Sequence, residues 1–384
     1  MKRLFIIASL AILAVGCQKT EIQNEVQTPI GFSTEVGKQT RAIVDGADYG
    51  TTQPFAVYAY GHQTVTSEVV TKVMDNVEVS YQAPTWKPTV GSYYWPNDPR
   101  TTMNFYAFSP YIKRPATQEV AASADPTVDD VDKVMSVSSL SHTENEGLVF
   151  TGYTHSNMYV DFMAATSVIG ATYAHSDGNP RGNETAGKVP ITFNHMMTQI
   201  LFKVTTDKVY DGITFTVESI TLNNINNTAD YNDGDWTPSG SASYTIFPAA
   251  AANGAAADED EIALVSAQGQ VTTMTTIGVT MIPQELVASV EADNSGAGAV
   301  AGQSFTIVYR IAGTGVASET VSKTVDLAVT GGVNEWNNNK KITYTVKIGL
   351  NEITFEPSVA TWVDEPAANA TDEEKEKYEY TFQQ

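Results

Sequence analysis

Short runs of alternating large and small residues, each closed by turn residues, recur along nearly the whole of this 384-residue chain. Phe55-Ala56-Val57-Tyr58-Ala59-Tyr60 alternates in this way, and Met103-Asn104-Phe105-Tyr106-Ala107-Phe108 does so before Ser109-Pro110. A period of two puts successive side chains on opposite faces of a strand, and Pro suits strand ends and edges. No stretch keeps a helical period long enough for an extended amphipathic helix. Thr371–Lys377 reads as one capped helical turn or as solvated tail. The chain is rich in Thr, Val, Tyr, Asn and Gly and poor in Leu, the balance of strands joined by turns. The fold class is therefore all-β, with spacings that suit antiparallel β-sandwiches.

Further strands are expected at Ile30–Val36, around Val73, Val77 and Val79, and at Val160–Ala165. Turns are expected at Lys87-Pro88, after Trp86, and at Tyr94–Pro99. Residues 112–146 are polar and aperiodic, a long loop with a short element in it. A Gly/Asp/Asn-rich link at 174–188 suggests a domain boundary near Lys188. Beyond it, strands are expected at 189–197, 200–204, 213–223, 242–247, 261–266, 276–282, 304–311, 320–328, 341–348 and 352–355. The expected units are 42–187 and 188–365, followed by a tail at 366–384.

The N-terminus has a different character. Lys2 and Arg3 precede the apolar run Leu4–Leu13, and Ala14-Val15-Gly16 leads to Cys17, the only Cys in the chain. This is the layout of a secretory signal, residues 1–16, cut between Gly16 and Cys17. Leu13-Ala14-Val15-Gly16-Cys17 resembles a bacterial lipobox, in which the thiol is acylated. The lipid on Cys17 is then the membrane anchor. Losing Lys2 and Arg3 makes the formal charge of −22 two units more negative. So acidic a chain is unsuited to nucleic acid, whose phosphates call for Lys and Arg.

No catalytic constellation emerges, so no catalytic residue, metal ligand or cofactor is assigned. The pattern G-x-S-x-G, the pattern H-E-x-x-H and the phosphate-binding loop are all missing from the sequence. His62, His142, His155, His175 and His195 have no ligand-like spacing. His195, inside an apolar strand pattern, reads as a hydrogen-bonded structural residue. Asp230-Tyr231-Asn232-Asp233-Gly234-Asp235 superficially suggests a calcium loop, but Gly234 breaks the EF-hand pattern.

Taken together, these segments resemble the Bacteroidales fimbrillins, or type V pilins. The resemblance covers most of the chain. It rests on Phe55–Tyr60, Tyr94-Trp95-Pro96 and Phe105–Pro110 in the first half. In the second half it rests on Ile191–His195 leading into Ile200–Val204, on Met281–Gln284, on Trp336–Val346, and on Ile353-Thr354-Phe355 with Trp362. It implies two tandem transthyretin-like Greek-key β-sandwich domains. It also implies export as an outer-membrane lipoprotein, cleavage by an Arg-specific protease, and polymerisation with other pilin subunits into an extracellular fimbrium. Thr40-Arg41-Ala42 matches the family's cleavage position, making 17–41 a lipidated propeptide cut between Arg41 and Ala42.

A mechanism follows if the strand carrying Ile30, Phe32 and Val36 completes the first domain. Cutting after Arg41 frees that strand and leaves an apolar groove, which a neighbour's strand fills by β-augmentation. Such head-to-tail contacts do not close, so they build filaments. Tyr378, Tyr380 and Phe382 alternate with polar residues and are the donor-strand candidates. The other reading of the same pattern is a tail that pairs with its own domain or stays disordered. The alternative function is a monomeric surface lipoprotein binding glycan or protein through exposed aromatics such as Trp86 and Trp236. Host or bacterial receptors are not readable from the sequence.

Overall fold

The computed structural model describes residues 28–36, 49, 51–64, 68–98, 100–113, 135–158, 160–176, 178, 187–247, 262–265, 272–273, 278–290, 299–328, 332–350 and 353–361. Among these residues there is no helix. The chain begins with β1 (Gly31–Val36), β2 (Phe55–Thr64), β3 (Glu68–Gln82), β4 (Thr85–Pro88) and β5 (Thr101–Ser109). Then come β6 (Met135–Ser136), β7 (Ser139–Thr143), β8 (Gly147–His155), β9 (Met163–Ala165), β10 (Val168–Ala171) and β11 (Lys188–His195).

Seven of these strands close on themselves. The order is β5-β2-β3-β4-β1-β11-β9, and β9 pairs back to β5, with β10 also hydrogen-bonded to β5. Closure removes the exposed edges of a sheet. The enclosed face is apolar and aromatic, carrying Ile30, Phe32, Tyr49, Phe55, Trp86, Trp95, Phe105 and Phe193. All six residues from Phe55 to Tyr60 are buried. Phe55, Val57 and Ala59 face the enclosed core, whereas Ala56, Tyr58 and Tyr60 face a second one. The alternation there is one of size, not of polarity, because β2 is covered on both sides.

The second half contributes β12 (Thr198–Thr206), β13 (Ile213–Ile225), β14 (Thr228–Asn232), β15 (Asp235–Ser239), β16 (Ala242–Phe247), β17 (Ile262–Val265) and β18 (Thr272–Thr273). It continues with β19 (Val279–Met281), β20 (Gln284–Glu285), β21 (Ser304–Gly313), β22 (Val316–Asp326), β23 (Glu335–Trp336), β24 (Lys340–Ile348) and β25 (Ile353–Thr361). One sheet is ordered β18-β12-β24-β25, with β19 also on β12. The other is β16-β13-β21-β22, with β17 also on β13. Their inner faces share one core, including Phe202, Phe215, Phe305 and Tyr344, and Trp336 of the separate β20–β23 pair joins it.

The two bodies are clasped. β11 ends the first and β12 opens the second, with two residues between them. The β14–β15 hairpin leaves the second body and pairs with β8, in a sheet that covers the outer face of β2 and β5. Tyr231 stacks on Phe150 at 4.8 Å, and Trp236 Nε1 donates to Met196 O at 2.6 Å. His155 lies in the same seam. It meets Thr280 O through Nε2 at 2.7 Å and the Tyr153 hydroxyl through Nδ1 at 2.8 Å. With Nε2 donating to the carbonyl, Nδ1 accepts from Tyr153 and the ring is neutral.

Burial holds this imidazole at about 4, below its ordinary 6.5. The folded chain therefore binds fewer protons here than the unfolded chain between those values. Stability is full above pH 6.5 and falls as pH drops toward 4. At pH 5 the loss from this one group is about 2 kcal/mol. His142, held at about 4 by burial and then by Lys72, has the same sign. We expect urea midpoints to fall between pH 7 and pH 5, and to fall less in His155→Gln. An unchanged slope in that variant would contradict this assignment.

Several expectations are corrected by the geometry. Lys87-Pro88 is not a turn. It ends β4, where Pro88 is buried and pairs with Val79; the turn lies at Ala83-Pro84. The Asp230–Asp235 segment spans the end of β14, a two-residue turn at Asp233-Gly234 and the start of β15. Asp233 and Gly234 adopt φ of 44° and 112°, the left-handed geometry of a two-residue hairpin connection. Within 112–146, the described residues form β6 and β7.

Candidate functional site: the place of the first strand

β1 seals the ring between β4 and β11. It pairs in parallel with β11 from Gly31↔Lys188 to Val36↔Phe193, and antiparallel with β4 at Phe32↔Trp86. Its entry is fixed by main-chain bonds: Ile30 N to Tyr93 O at 2.8 Å, Gly31 N to Gly187 O at 2.9 Å, and Trp95 N to Thr28 O at 3.0 Å. Ile30 and Phe32 are 2% and 1% exposed. Phe32 stands edge-on to Phe55 and to Phe105, each at 6.1 Å. Burial of these two side chains contributes about 1.5–3 kcal/mol each. Val36, at the far end, holds its register by backbone pairing.

Tyr49 closes that far end. Its ring stacks on Phe193 at 4.8 Å and packs against Phe55 and Trp86. Its hydroxyl meets Ser109 Oγ at 2.6 Å, and Gln53 Nε2 donates to the same Oγ at 3.2 Å. Burial raises the Tyr49 phenol well above its ordinary value, which keeps it protonated. Beside it, His195 Nδ1 meets Asp161 Oδ2 at 2.6 Å. Burial pushes the Asp161 carboxyl up, and His195 opposes that shift. His195 is thus a buried, hydrogen-bonded residue of the core.

Without β1, the ring would have two open edges, β4 and β11, and a slot lined by Phe55, Trp86, Phe105 and Phe193. Chemically this is a receptor for an extended peptide. Main-chain groups supply affinity, and the apolar slot selects side chains at every second position. Tyr49 would remain as the floor of the slot. Its role is invisible in sequence, because one aromatic between Asp48 and Gly50 shows no periodicity.

The other candidate residues lie outside the described residues: Gly16 and Cys17, Arg41 and Ala42, and Tyr378, Tyr380 and Phe382. Trp86 and Trp236 are not exposed platforms. Trp86 is 5% exposed, and Trp236 packs against Phe150, Tyr153, Phe162 and Tyr231. Aromatic pairing inside the cores consumes both. The cleft lined by Tyr58, His142, Tyr231 and Asp233 holds about 50 Å³, well below a small-molecule site of roughly 300–1,000 Å³. Among the described residues, no three metal-ligating side chains converge.

The architecture defines an all-β protein of two clasped bodies, one of them sealed by its own N-terminal strand. A fimbrillin-like family model matches residues 40–362. The chain belongs to the fimbrillin-like family. No curated protein sequence matches it. A fimbrial protein from Bacteroides vulgatus ATCC 8482 is similar in structure at 18% identity, with a TM-score of 0.55 over 88% of this chain and 100% of that one. A candidate cell adhesion protein from Bacteroides uniformis ATCC 8492 gives 14% identity and 0.44, over 87% and 98%. The tip fimbrial protein Mfa3 from Porphyromonas gingivalis gives 10% and 0.32, over 88% and 100%.

Proposed function

We propose that this chain is a structural subunit, stalk or tip, of a cell-surface fimbria that supports adhesion and biofilm. It is exported as a lipoprotein through Cys17, cleaved after Arg41 by an Arg-specific protease, and polymerised by donor-strand exchange. The observation that carries the reading is the place of β1. One strand seals a closed ring, buries Ile30 and Phe32, and is joined to β2 only through a segment that contains Arg41. Before cleavage β1 is tethered and returns whenever it opens. After cleavage its loss is irreversible on dilution, and the slot becomes available to another strand. The alternating Tyr378, Tyr380 and Phe382 match the every-second-residue spacing of Ile30 and Phe32. The ligand-binding lipoprotein reading loses its two named aromatics, because both are packed.

The test uses the full chain with and without an Arg-specific protease. Parent protein should begin at Ala42 after treatment and give a ladder of oligomers stable in mild detergent. Arg41→Ala should stay monomeric. Phe382→Asp should be cleaved but fail to extend, because a carboxylate entering an apolar slot is strongly disfavoured. Persistent monomer after verified cleavage would remove the proposal. Normal ladders from Phe382→Asp would reassign the donor.

A further inference from the structure

β22 is the last strand of its sheet, and one side of it is open. Its eleven residues, Val316–Asp326, pair with β21, and among the described residues no strand pairs with the other side. Ala317–Thr320 and Ser322–Thr324 are exposed. Such an edge offers a row of main-chain donors and acceptors to any extended strand. Proline blunts other margins, at Pro238 of β15 and Pro357 of β25, but β22 has none. Its guard is a pair of charges. Val321 and Val325 pack against the core of the second body. Glu319 and Lys323 share their phase, so they lie on the core-side face of the strand, one on either side of Val321.

We infer that β22 is an interface for a second copy of this chain, whose own β22 adds antiparallel across a two-fold axis and joins the two sheets into one. Charge complementarity fixes both the partner and the register. A two-fold axis normal to the sheet keeps core-side residues opposite core-side residues, so registers differ by two-residue slips. With Val321 at the centre, Val316 faces Asp326 and the strands overlap over their full length. Glu319 of each copy then faces Lys323 of the other, and Ala317 faces Val325. On the outer face Thr320 meets Ser322 and Ser318 meets Thr324. Opposite charges and hydroxyl pairs are favourable cross-strand neighbours. Centring on Thr320 or Ser322 sets Glu319 or Lys323 against Val321, and centring on Glu319 or Lys323 sets like charges face to face. The charges that bar a foreign strand therefore admit this one. The contact closes at two copies, so it builds no ladder of its own. It lies apart from β1 and the slot and stands whether or not donor strands are exchanged. Where they are, every subunit of a filament presents the same edge to a neighbouring filament.

The full chain with Cys17→Ser and Arg41→Ala isolates this contact, because it lacks the lipid, the one native thiol and the cut. Sedimentation equilibrium without detergent should show a monomer–dimer equilibrium. In detergent, where exposed backbone pairs give way, the same chain runs as a monomer. Glu319→Lys and Lys323→Glu, each added alone, should weaken the dimer at least about tenfold with an unchanged melting temperature, since each sets like charges opposite one another at two places. An equimolar mixture of the two should recover it, because the altered edges complement each other. Both changes in one chain should recover it as well. Val321→Cys should oxidise to a covalent dimer. Ala317→Cys should not, although Ala317 is the more exposed, because in this register it lies roughly 26 Å from its own copy. Monomer at every concentration, single charge variants that dimerise like their parent, or a mixture that stays monomeric overturns the pairing. Equal cross-linking at Val321 and Ala317 overturns it too. Cleavage plays no part in these measurements, so their failure leaves donor-strand exchange standing, and failure of the ladder leaves the edge pairing standing.

Discussion

Phe32→Ala should destabilise the uncleaved chain by about 3–5 kcal/mol, a large fraction of the stability of an ordinary domain. The ring of Phe32 is 1% exposed and edge-on to Phe55 and Phe105, so its removal leaves a cavity that two fixed aromatic neighbours cannot fill. β1 is also the strand that closes the ring, so loosening it exposes the edges of β4 and β11 together. Urea denaturation should show the loss, and Ser33→Ala on the same strand should stay within about 0.5 kcal/mol of the parent. After cleavage, Phe32→Ala should also shed its propeptide faster. Equal midpoints for Phe32→Ala and Ser33→Ala would show that the strand is not held by its side chains.

Phe150→Ala should cost about as much, roughly 3–5 kcal/mol, and the damage should fall at the clasp. Phe150 is fully buried, stacked on Tyr231 of the β14–β15 hairpin, and edge-on to Phe162 and Trp236. These rings hold a hairpin from one body in a sheet of the other. The variant should unfold in two transitions where the parent shows one, and limited proteolysis should cut between β13 and β16. A single cooperative transition with an unshifted midpoint would mean that the hairpin does not couple the bodies.

Much of the fold was readable because β-strands announce themselves by period. The stretches at 55–60, 103–108, 242–247 and 341–348 fall inside β2, β5, β16 and β24. β8 escaped for a physical reason. Leu148 and Phe150 point inward, Gly152 takes a φ of 64°, and the inward phase then moves to Tyr153 and His155. A strand that changes phase halfway has no single period. The β14–β15 hairpin was hidden by its polarity, since only Ala229 and Tyr231 are buried and its turn is rich in acids. Closure of the first body into a ring is a property of long-range pairing, such as β9 with β5, and no local pattern encodes it.

The slot was half legible. Ile30 and Phe32 declared an apolar face, and the family resemblance supplied the proposed cut at Arg41. What no spacing revealed was the parallel partner β11, 157 residues downstream at Gly31↔Lys188, or Tyr49 as the floor. Trp86 and Trp236 show the reverse error. Aromatics in polar surroundings looked like ligand platforms, and both are used internally. Cys17 also changes meaning under this account. If the chain is cut after Arg41, the lipid departs with residues 17–41, and the finished fibre is held by strands alone.

The most direct measurement is mass spectrometry of assembled material after treatment with an Arg-specific protease. Donor-strand exchange requires oligomers in which every internal subunit begins at Ala42 and the 17–41 peptide has gone to the supernatant. Oligomers that retain the peptide, or cleaved monomers that keep β1 in place and never assemble, would contradict it.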